Sequence, residues 1–500
     1  MSEPFDLLVI GGGINGAGIA RDAAGRGLRV LLCEKGDLAE GTSSRSSKLI
    51  HGGLRYLEYG EFRLVREALR ERDVLLRIAP HIVWPMRFVI PQGSGQRPAW
   101  MVRLGLFLYD HLGGRSRLEG TRRLDLRTGP EGAPIQPRFR RGFEYSDCWV
   151  DDARLVVLNA LDAAQLGATV CVGTAAVQAR REGALWHVTL RDDCGAERDV
   201  AARILVNAAG PWVDQVIRGV AGGNGPAQLR LVKGSHLVVR RFYDGDHAYL
   251  LQNDDKRVIF IIPYLGDLCL IGTTDVPFDG CPEDVAPDPA ERAYLLRAVN
   301  RYLATALSEA EIVASYAGIR PLHDSGEAAN ASAVTRDYSF DVAAQDGQAP
   351  LLSIFGGKIT TYRKLAEHAL EKLSPWLRDA GPGWTGNVPL PGGDMPGGDF
   401  TRFAAEFSQR HPWLPGPLAR HYARLYGTRA EQLLAGADGV DGLGRWFGGL
   451  LYEREAEFLR RTEWANHPAD VLERRTKHGL HLTAAERAEF ARWWSEAAGH

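Results

Sequence analysis

Lysine is scarce in this chain: of 60 lysines and arginines, only eight are lysine. Codon bias accounts for the 52 arginines, yet a lysine kept in that background supplies a compact point charge where arginine brings a planar fork. Cysteine is sparse as well. Cys33, Cys148, Cys171, Cys194, Cys269 and Cys281 show no CxxC pair and no zinc spacing, so no metal site or disulfide framework is expected and a reduced, cytosolic setting fits. Net charge is nearly absent, at −2 with a pI near 6.7, which removes the global basic field that would recruit nucleic acid. Long apolar runs are missing. The stretch 258–262 is far short of the ~20 residues that cross a bilayer, so any membrane contact is expected to be peripheral. The N-terminus lacks the basic start and cleavage site of a secretory leader. Glycine and proline number 57 and 26, below the ~25–30% of low-complexity chains. No phosphate P-loop, Ser-His-Asp order, HExxH or internal repeat occurs. With ~150 residues per domain as a guide, 500 residues leave room for about three domains.

What is present starts at residue 5. Residues 5–10 read as a buried parallel strand, 17–27 as a helix closed by glycine, and 28–33 as a second strand with Glu34 at its end. Between the first strand and the helix stand Gly11, Gly12, Gly13, Ile14, Asn15 and Gly16, a GxGxxG fingerprint followed 18 residues later by Glu34 and then Lys35. Gly11 permits the tight turn, Gly13 lets backbone approach a pyrophosphate, and Gly16 lets helix and strand pack closely. The helix N-terminus offers N–H groups to the anion, and Glu34 can accept from a ribose diol. A dinucleotide site is the expectation. The fingerprint stands at the N-terminus and no second one follows for a nicotinamide nucleotide, which favours FAD.

Three further stretches suit the same cofactor. Thr42, Ser43, Ser44, Ser47, Lys48, Leu49, His51, Gly52 and Gly53 lie in a loop rich in hydroxyls and glycine. It runs into an amphipathic helix expected over 61–79, with Phe62, Val65, Leu69 and Leu76 on one face. The strand 203–210 ends in small residues, Ala208 and Gly210 among them, just before Trp212, and lets a cofactor lie against backbone. Gly357, Lys358 and Thr360 open a helix expected to run to about 373, whose N-terminus can stabilise an anionic reduced flavin.

These blocks closely resemble the respiratory, FAD-dependent glycerol-3-phosphate dehydrogenases of the D-amino-acid-oxidase-like flavoenzyme superfamily. The resemblance covers almost the whole chain. It is carried by residues 11–18, 46–57, 142–155, 207–213, 233–236 (Lys-Gly-Ser-His), 271–275 (Ile-Gly-Thr-Thr-Asp), 318–321 (Gly-Ile-Arg-Pro), 335–338 and 355–365. It implies an α/β fold: a Rossmann-type FAD-binding domain with an inserted antiparallel substrate-binding sheet, and a C-terminal all-helical cap. On that basis 1–388 form the oxidoreductase domain, with FAD-binding pieces about 1–80, 150–230 and 315–388 and sheet pieces about 81–149 and 231–314, and 389–500 form the cap. The linker lies in the Gly/Pro-rich stretch 381–398.

The resemblance also assigns the site. Arg320 faces the flavin and grips the substrate. His236 is the expected base, with His51 as its competitor, and Lys358 stabilises developing oxyanion character with Arg320. Arg55, Tyr56, Thr274 and Arg336 complete the substrate set. Four of these residues are permanent cations, which suits a phosphate dianion. The implied reaction takes sn-glycerol 3-phosphate to dihydroxyacetone phosphate, the hydride passing from C2 to FAD. Electrons then go to a membrane quinone from a homodimer held on the cytoplasmic membrane face. A flavin oxidase using oxygen and a catalytically silent flavoprotein share many of these motifs and remain as alternatives.

Two segments read ambiguously. The stretch 99–109 is unusually apolar, a core helix or a lipid contact. Residues 473–477 are basic and read as a solvated helix end, a cap over the active site or a partner surface. In the C-terminal third, Pro417 suits a first helical position before Leu418, Tyr422, Leu425 and Leu433, and Thr483 to Glu486 form a capping box.

Overall fold

The structure, a computed structural model, describes residues 3–93, 96–114, 116–223, 229–255, 257–323, 337–344, 347–377 and 379–498. Strand β1 (Phe5–Ile10) is apolar along most of its length because both of its faces are covered. It leads into helix α1 (Ile14–Gly25) and strand β2 (Val30–Glu34). β1 sits at the centre of a parallel sheet ordered Leu351–Phe355, Glu197–Asn207, β1, β2, Thr169–Val172, with Ser339–Ala343 antiparallel at the edge. Ile10 pairs with Asn207 on one side and Cys33 on the other. The strand ends that carry Gly11, Ala208 and Glu34 therefore lie side by side. Helices α1, Asp152–Gln165 and Tyr362–Leu373 cover one face, with Ile19, Leu155, Leu158, Tyr362 and Leu365 in its core.

The second sheet has ten strands. Its path runs Val276–Pro277, Leu229–Arg240, Leu268–Gly272, Val258–Tyr264, Ala248–Gln252, Val83–Gln92, Arg141–Val150, Leu49–Ile50. It is antiparallel except where Ala248–Gln252 meets Val83–Gln92. The seam between sheets differs from the sequence boundaries. Leu49–Ile50, from the loop read as flavin-binding, pairs with Arg141–Val150. Strand Ile312–His323 pairs with Leu229–Arg240 from Ile312 to His323. Arg320 thus belongs to the substrate sheet rather than to an FAD-binding piece, because its ladder continues past 315.

The cap holds the helices Phe400–Arg410, Gly416–Tyr426, Glu453–Thr462 and Ala484–Ala498 around Phe407, Tyr422, Tyr426, Leu459 and Phe490. It is not wholly helical, since Trp446–Gly448 and Leu451–Tyr452 form a small ribbon. The capping box is present: Thr483 and Glu486 exchange side-chain-to-backbone hydrogen bonds. Helix Phe62–Ile78 forms as expected, but Phe62 is its first residue and stays exposed, one turn short of the buried face that begins at Leu64 and Val65.

The basic run 473–477 is the clearest departure from sequence expectation. Apart from Glu473 it is buried rather than solvated. Arg475 makes two 2.6 Å hydrogen bonds to Asp37, Arg474 reaches Asp37 and Asp470, and Lys477 meets Asp151. Nearby, Glu463 accepts from Arg429 at 2.6 Å and pairs with Arg154, and Arg154 and Glu463 are both fully buried. These ions dock the C-terminal helices on the parallel-sheet domain. Burial raises the Glu463 carboxyl, but Arg154 and Arg429 outweigh it and bring it down to about 2.

Glu463→Gln leaves two buried guanidiniums short of a counter-charge, and we expect a loss of about 3 kcal/mol in denaturant unfolding. The native carboxylate binds its proton less readily than the unfolded one. Its contribution is therefore complete above its ordinary value of 4.5 and is lost as pH falls towards about 2. Denaturation midpoints of wild type and variant should converge over that window, and a constant difference between them would contradict the assignment.

Candidate active site

The nucleotide cleft is built at the carboxyl ends of β1 and β2. Gly11 adopts φ +111°, and a Cβ there would lie 2.6 Å from the Ala208 carbonyl oxygen. A Cβ at Gly16 would overlap the Gly11 carbonyl oxygen. The two glycines let the α1 N-terminus, β1 and the Ala208 turn share one small volume. Gly13 caps α1 without a side chain, and the Ile14 N–H donates to Ser43 Oγ at 3.0 Å. Glu34 accepts from the Gly12 and Gly36 amides at 2.6 and 2.8 Å. Burial raises its carboxyl, although those two amides oppose it. The Asn15 amide donates to the Gly356 carbonyl at 3.2 Å, while its Oδ1 is buried without a hydrogen-bond partner. A glycine cradle, a helix N-terminus whose N-cap residue is glycine and an orphaned polar atom are features that a dinucleotide would satisfy, so these residues fit FAD. Lys35 lies over Trp212 at 4.2 Å and pairs with Glu283, to which the Trp212 indole also donates. Gly210 turns the chain at φ +56° just before Trp212.

The loop 42–53 joins this cleft to the substrate sheet. Thr42 donates to the Ile319 carbonyl at 2.6 Å, next to Arg320. Ser47 Oγ lies 2.8 Å from His236 Nε2. Lys48 is buried at φ +57°, its ammonium bonded to Asp152 and to the Ser44 carbonyl, both at 2.9 Å. Its side chain is therefore spent on the fold, and any cofactor contact there falls to backbone. Leu49 is buried in the sheet. The Gly52 amide donates to Tyr109, which donates to Asp147, and Gly53 adopts φ +75° at the start of the 3-10 turn Leu54–Tyr59. The His51 amide donates to Thr360 Oγ1 at 3.3 Å. This ties the loop to the segment carrying Gly357 and Lys358, which leads through a short 3-10 turn into helix Tyr362–Leu373.

The cationic residues gather on these two segments and on one strand. Lys358 Nζ lies 4.0 Å from the Tyr56 ring centroid, and Arg55 donates to Tyr59 at 3.1 Å. Arg320 donates to Thr273 Oγ1 at 2.8 Å and to the Thr274 carbonyl at 3.2 Å, and it pairs with Asp275. Its strand abuts the Lys358 segment: a Cβ at Gly356 would lie 3.6 Å from the Pro321 carbonyl oxygen.

Two expected site residues lie beside Arg320 but are enclosed. Thr274 is 1% exposed, and its hydroxyl is spent on Glu291 and on the Ser235 amide. It acts through its carbonyl, as a seat for Arg320. His236 is 2% exposed, stacked on Tyr316 at 4.9 Å and bonded to Ser47. Burial, with Arg320 and Lys48 nearby, holds it well below the ordinary imidazole value. It is a neutral, enclosed imidazole, not one open to a substrate. His51 is only half-buried and stands edge-on to Phe260. Arg336 lies outside the described residues. Sequence reading missed Asp275 as the partner of Arg320, although it closes the Ile-Gly-Thr-Thr-Asp block. It also missed Glu291, whose only signal is its capping-box spacing from Asp288.

Residues 6–363 match the family described as FAD dependent oxidoreductase, and 384–492 match the C-terminal domain of alpha-glycerophosphate oxidase. The chain is 58% identical to D-erythritol 1-phosphate dehydrogenase of Brucella abortus, over 99% of each chain. It is 52% identical to aerobic glycerol-3-phosphate dehydrogenase of Escherichia coli, over 99% of this chain and 98% of the relative. The glycerol-3-phosphate dehydrogenase of Bacillus halodurans, solved with FAD, superimposes with a TM-score of 0.76 at 26% identity, covering 99% of this chain and 94% of the other.

Because a methyl group at residue 16 collides with backbone that cannot yield, we expect Gly16→Ala to purify without flavin. The ratio of visible flavin absorbance to protein measures this. Full retention of the yellow colour would show that the α1 turn does not need that close approach.

Proposed function

This chain belongs to the FAD-dependent oxidoreductase family, in its glycerol-3-phosphate dehydrogenase branch, and from that premise we propose that it oxidises sn-glycerol 3-phosphate to dihydroxyacetone phosphate and delivers the electrons to a membrane quinone. At the coarser level it is an FAD-dependent dehydrogenase acting on a phosphorylated polyol. The grouping of Arg55, Tyr56 and Lys358 on touching segments, beside the strand of Arg320, supports a phosphorylated substrate, and the 52% identity to glycerol-3-phosphate dehydrogenases favours glycerol 3-phosphate.

Bound FAD supplies the acceptor for the C2 hydride. The chain's own residues hold and polarise the substrate. Arg55 and Tyr56, with Arg336, take the phosphate dianion. Arg320, held in place by Asp275 and Thr273, and Lys358 stabilise negative charge on the C2 oxygen. His51, the less enclosed of the two imidazoles, accepts the hydroxyl proton. His236 is a positioning residue that fixes Ser47 in the flavin loop. No described helix is long and apolar enough to cross a membrane. Helix Ala99–Leu112 buries Val102, Leu106 and Tyr109 and turns Trp100, Met101, Leu104 and Phe107 outward. That outer face supports peripheral attachment to the membrane.

A second substrate, D-erythritol 1-phosphate, is favoured by the 58% identical relative. Anaerobic reduction separates the two. We expect the flavin to bleach with glycerol 3-phosphate, and a kcat/KM at least tenfold higher for erythritol 1-phosphate would instead assign the longer polyol. Rapid peroxide formation with little quinone reduction would overturn the dehydrogenase reading.

Arg320→Ala should keep FAD and lose roughly a thousandfold in the rate of flavin reduction. His51→Asn should slow reduction and flatten its pH profile, while His236→Asn should retain that profile. The reverse pattern would return the base role to His236.

A further inference from the structure

The cap contains a cluster that the reaction does not use. His421 on helix Gly416–Tyr426, Glu455 on helix Glu453–Thr462 and His478 in the turn after Lys477 bring their ligand atoms within 4.8 Å of one another. The Nε2 atoms of His421 and His478 are 3.2 Å apart. His421 Nε2 lies 2.7 Å from Glu455 Oε1, and His478 Nε2 lies 3.8 Å from Glu455 Oε2. The side chains of His421, Glu455 and His478 are 11%, 0% and 6% exposed.

Protons alone satisfy this arrangement poorly. Glu455 Oε1 already accepts from Tyr426 at 2.7 Å and faces His421. A single Nε2 proton on His421 serves either the carboxylate or His478, not both in good geometry. Glu455 Oε2 is left buried with no hydrogen-bond partner. A fully buried carboxylate with one oxygen short of a hydrogen bond and 3.8 Å from the His478 nitrogen, its other oxygen facing His421, is an expensive arrangement unless a cation sits among the three groups. The spacing suits one. Metal–nitrogen bonds of ~2.0–2.1 Å in a tetrahedron place ligand atoms ~3.3 Å apart; the two imidazole nitrogens are 3.2 Å apart, one carboxylate oxygen lies 2.7 Å from His421 and the other 3.8 Å from His478.

We propose that His421, Glu455 and His478 form a site for a divalent transition-metal ion, zinc by ligand set, with water as its fourth ligand. Two imidazoles and one carboxylate are a ligand set that zinc accepts with an open fourth position. The ion joins two cap helices to the turn that follows Arg474, Arg475 and Lys477, the residues that grip Asp37 and Asp151 of the FAD-binding domain. Its role is to stiffen the segment through which the cap is docked.

The test uses the full-length flavoprotein, stripped with a chelator and titrated with Zn2+ against a chromophoric chelator, with Co2+ as the spectroscopic probe. We expect one equivalent of Zn2+ per chain, a tetrahedral Co2+ spectrum that Zn2+ displaces, and a higher melting temperature with metal. Flavin content should not change. His478→Asn and Glu455→Gln should each weaken metal binding by roughly a hundredfold. Negligible uptake by the wild-type protein would overturn the proposal, and that measurement does not depend on how the variants fold. Tight binding that survives in His478→Asn would do the same, by placing the metal elsewhere.

Discussion

Two adjacent carboxylates hold the three parts of this molecule together. Asp151 and Asp152 stand at the N-terminus of helix Asp152–Gln165, where the helix dipole favours negative charge and Asp151 accepts from the Arg154 amide. Asp152 takes the Lys48 ammonium and the Ser46 hydroxyl of the flavin loop. Asp151 takes the Lys477 ammonium of the cap. All four charged groups are buried, where an unpaired charge would cost several kcal/mol. The loop, the helix and the cap therefore cannot shift independently. Ser43 and Ser47 ride on the loop so fixed, and through them the α1 N-terminus and His236 are held as well.

That hub gives the scarcity of lysine a physical content. Lys48 and Lys477 occupy cramped, fully buried sites beside single carboxylates, and Lys233 is similarly placed among Glu291, Asp288 and the Ala286 carbonyl. A guanidinium in such a place brings five donors that must all be satisfied, whereas an ammonium brings three on one atom. Burial lowers the Lys48 ammonium, but Asp152 outweighs it and leaves it above its ordinary value. At Lys477 burial wins over Asp151 and the value falls. Arginine is used where a planar fork fits. Arg475 spans both oxygens of Asp37, and Arg363 both oxygens of Glu71. The shape of each buried site thus fits lysine at Lys48, Lys233 and Lys477.

The sequence made the local chemistry legible and left the long-range partners hidden. Strand β1, its glycine turn, helix α1 and Glu34 could be read directly, since the pattern that marks them lies within thirty residues of chain. The capping box and the apolar strands were legible for the same reason. The run 473–477 was not, because nothing within it says that Asp37 and Asp151 lie across an interface. Nor could spacing show that Thr274 turns its hydroxyl inward to Glu291, or that His236 is enclosed by Tyr316 and Ser47. A signature block marks which residues matter, but exposure decides whether each touches substrate or supports one that does. Thr274 and Arg320 illustrate the division: the first is a buried seat, the second the half-open cation placed on it.

The substrate mouth and the apolar outer surface are built on neighbouring pieces of chain. The turn Leu54–Tyr59 carries Arg55 and Tyr56 towards the site, and it exposes Tyr59 at its far end. Leu54, Tyr56 and Leu57 pack on the cluster that contains Val102, Leu106 and Tyr109 of helix Ala99–Leu112. The opposite face of that helix is the one that bears Trp100, Leu104 and Phe107. Tyr109 donates to Asp147 and accepts from the Gly52 amide, so the same helix also fixes the flavin loop from below. Burial holds the Asp147 carboxyl up, to about 6, against the pull of Arg72 and Tyr109. A surface that docks on lipid through this helix would thus be mechanically continuous with the turn Leu54–Tyr59, proposed to take the phosphate, and with the loop 42–53. An electron acceptor dissolved in the membrane would then meet the protein on the side from which the flavin loop is braced.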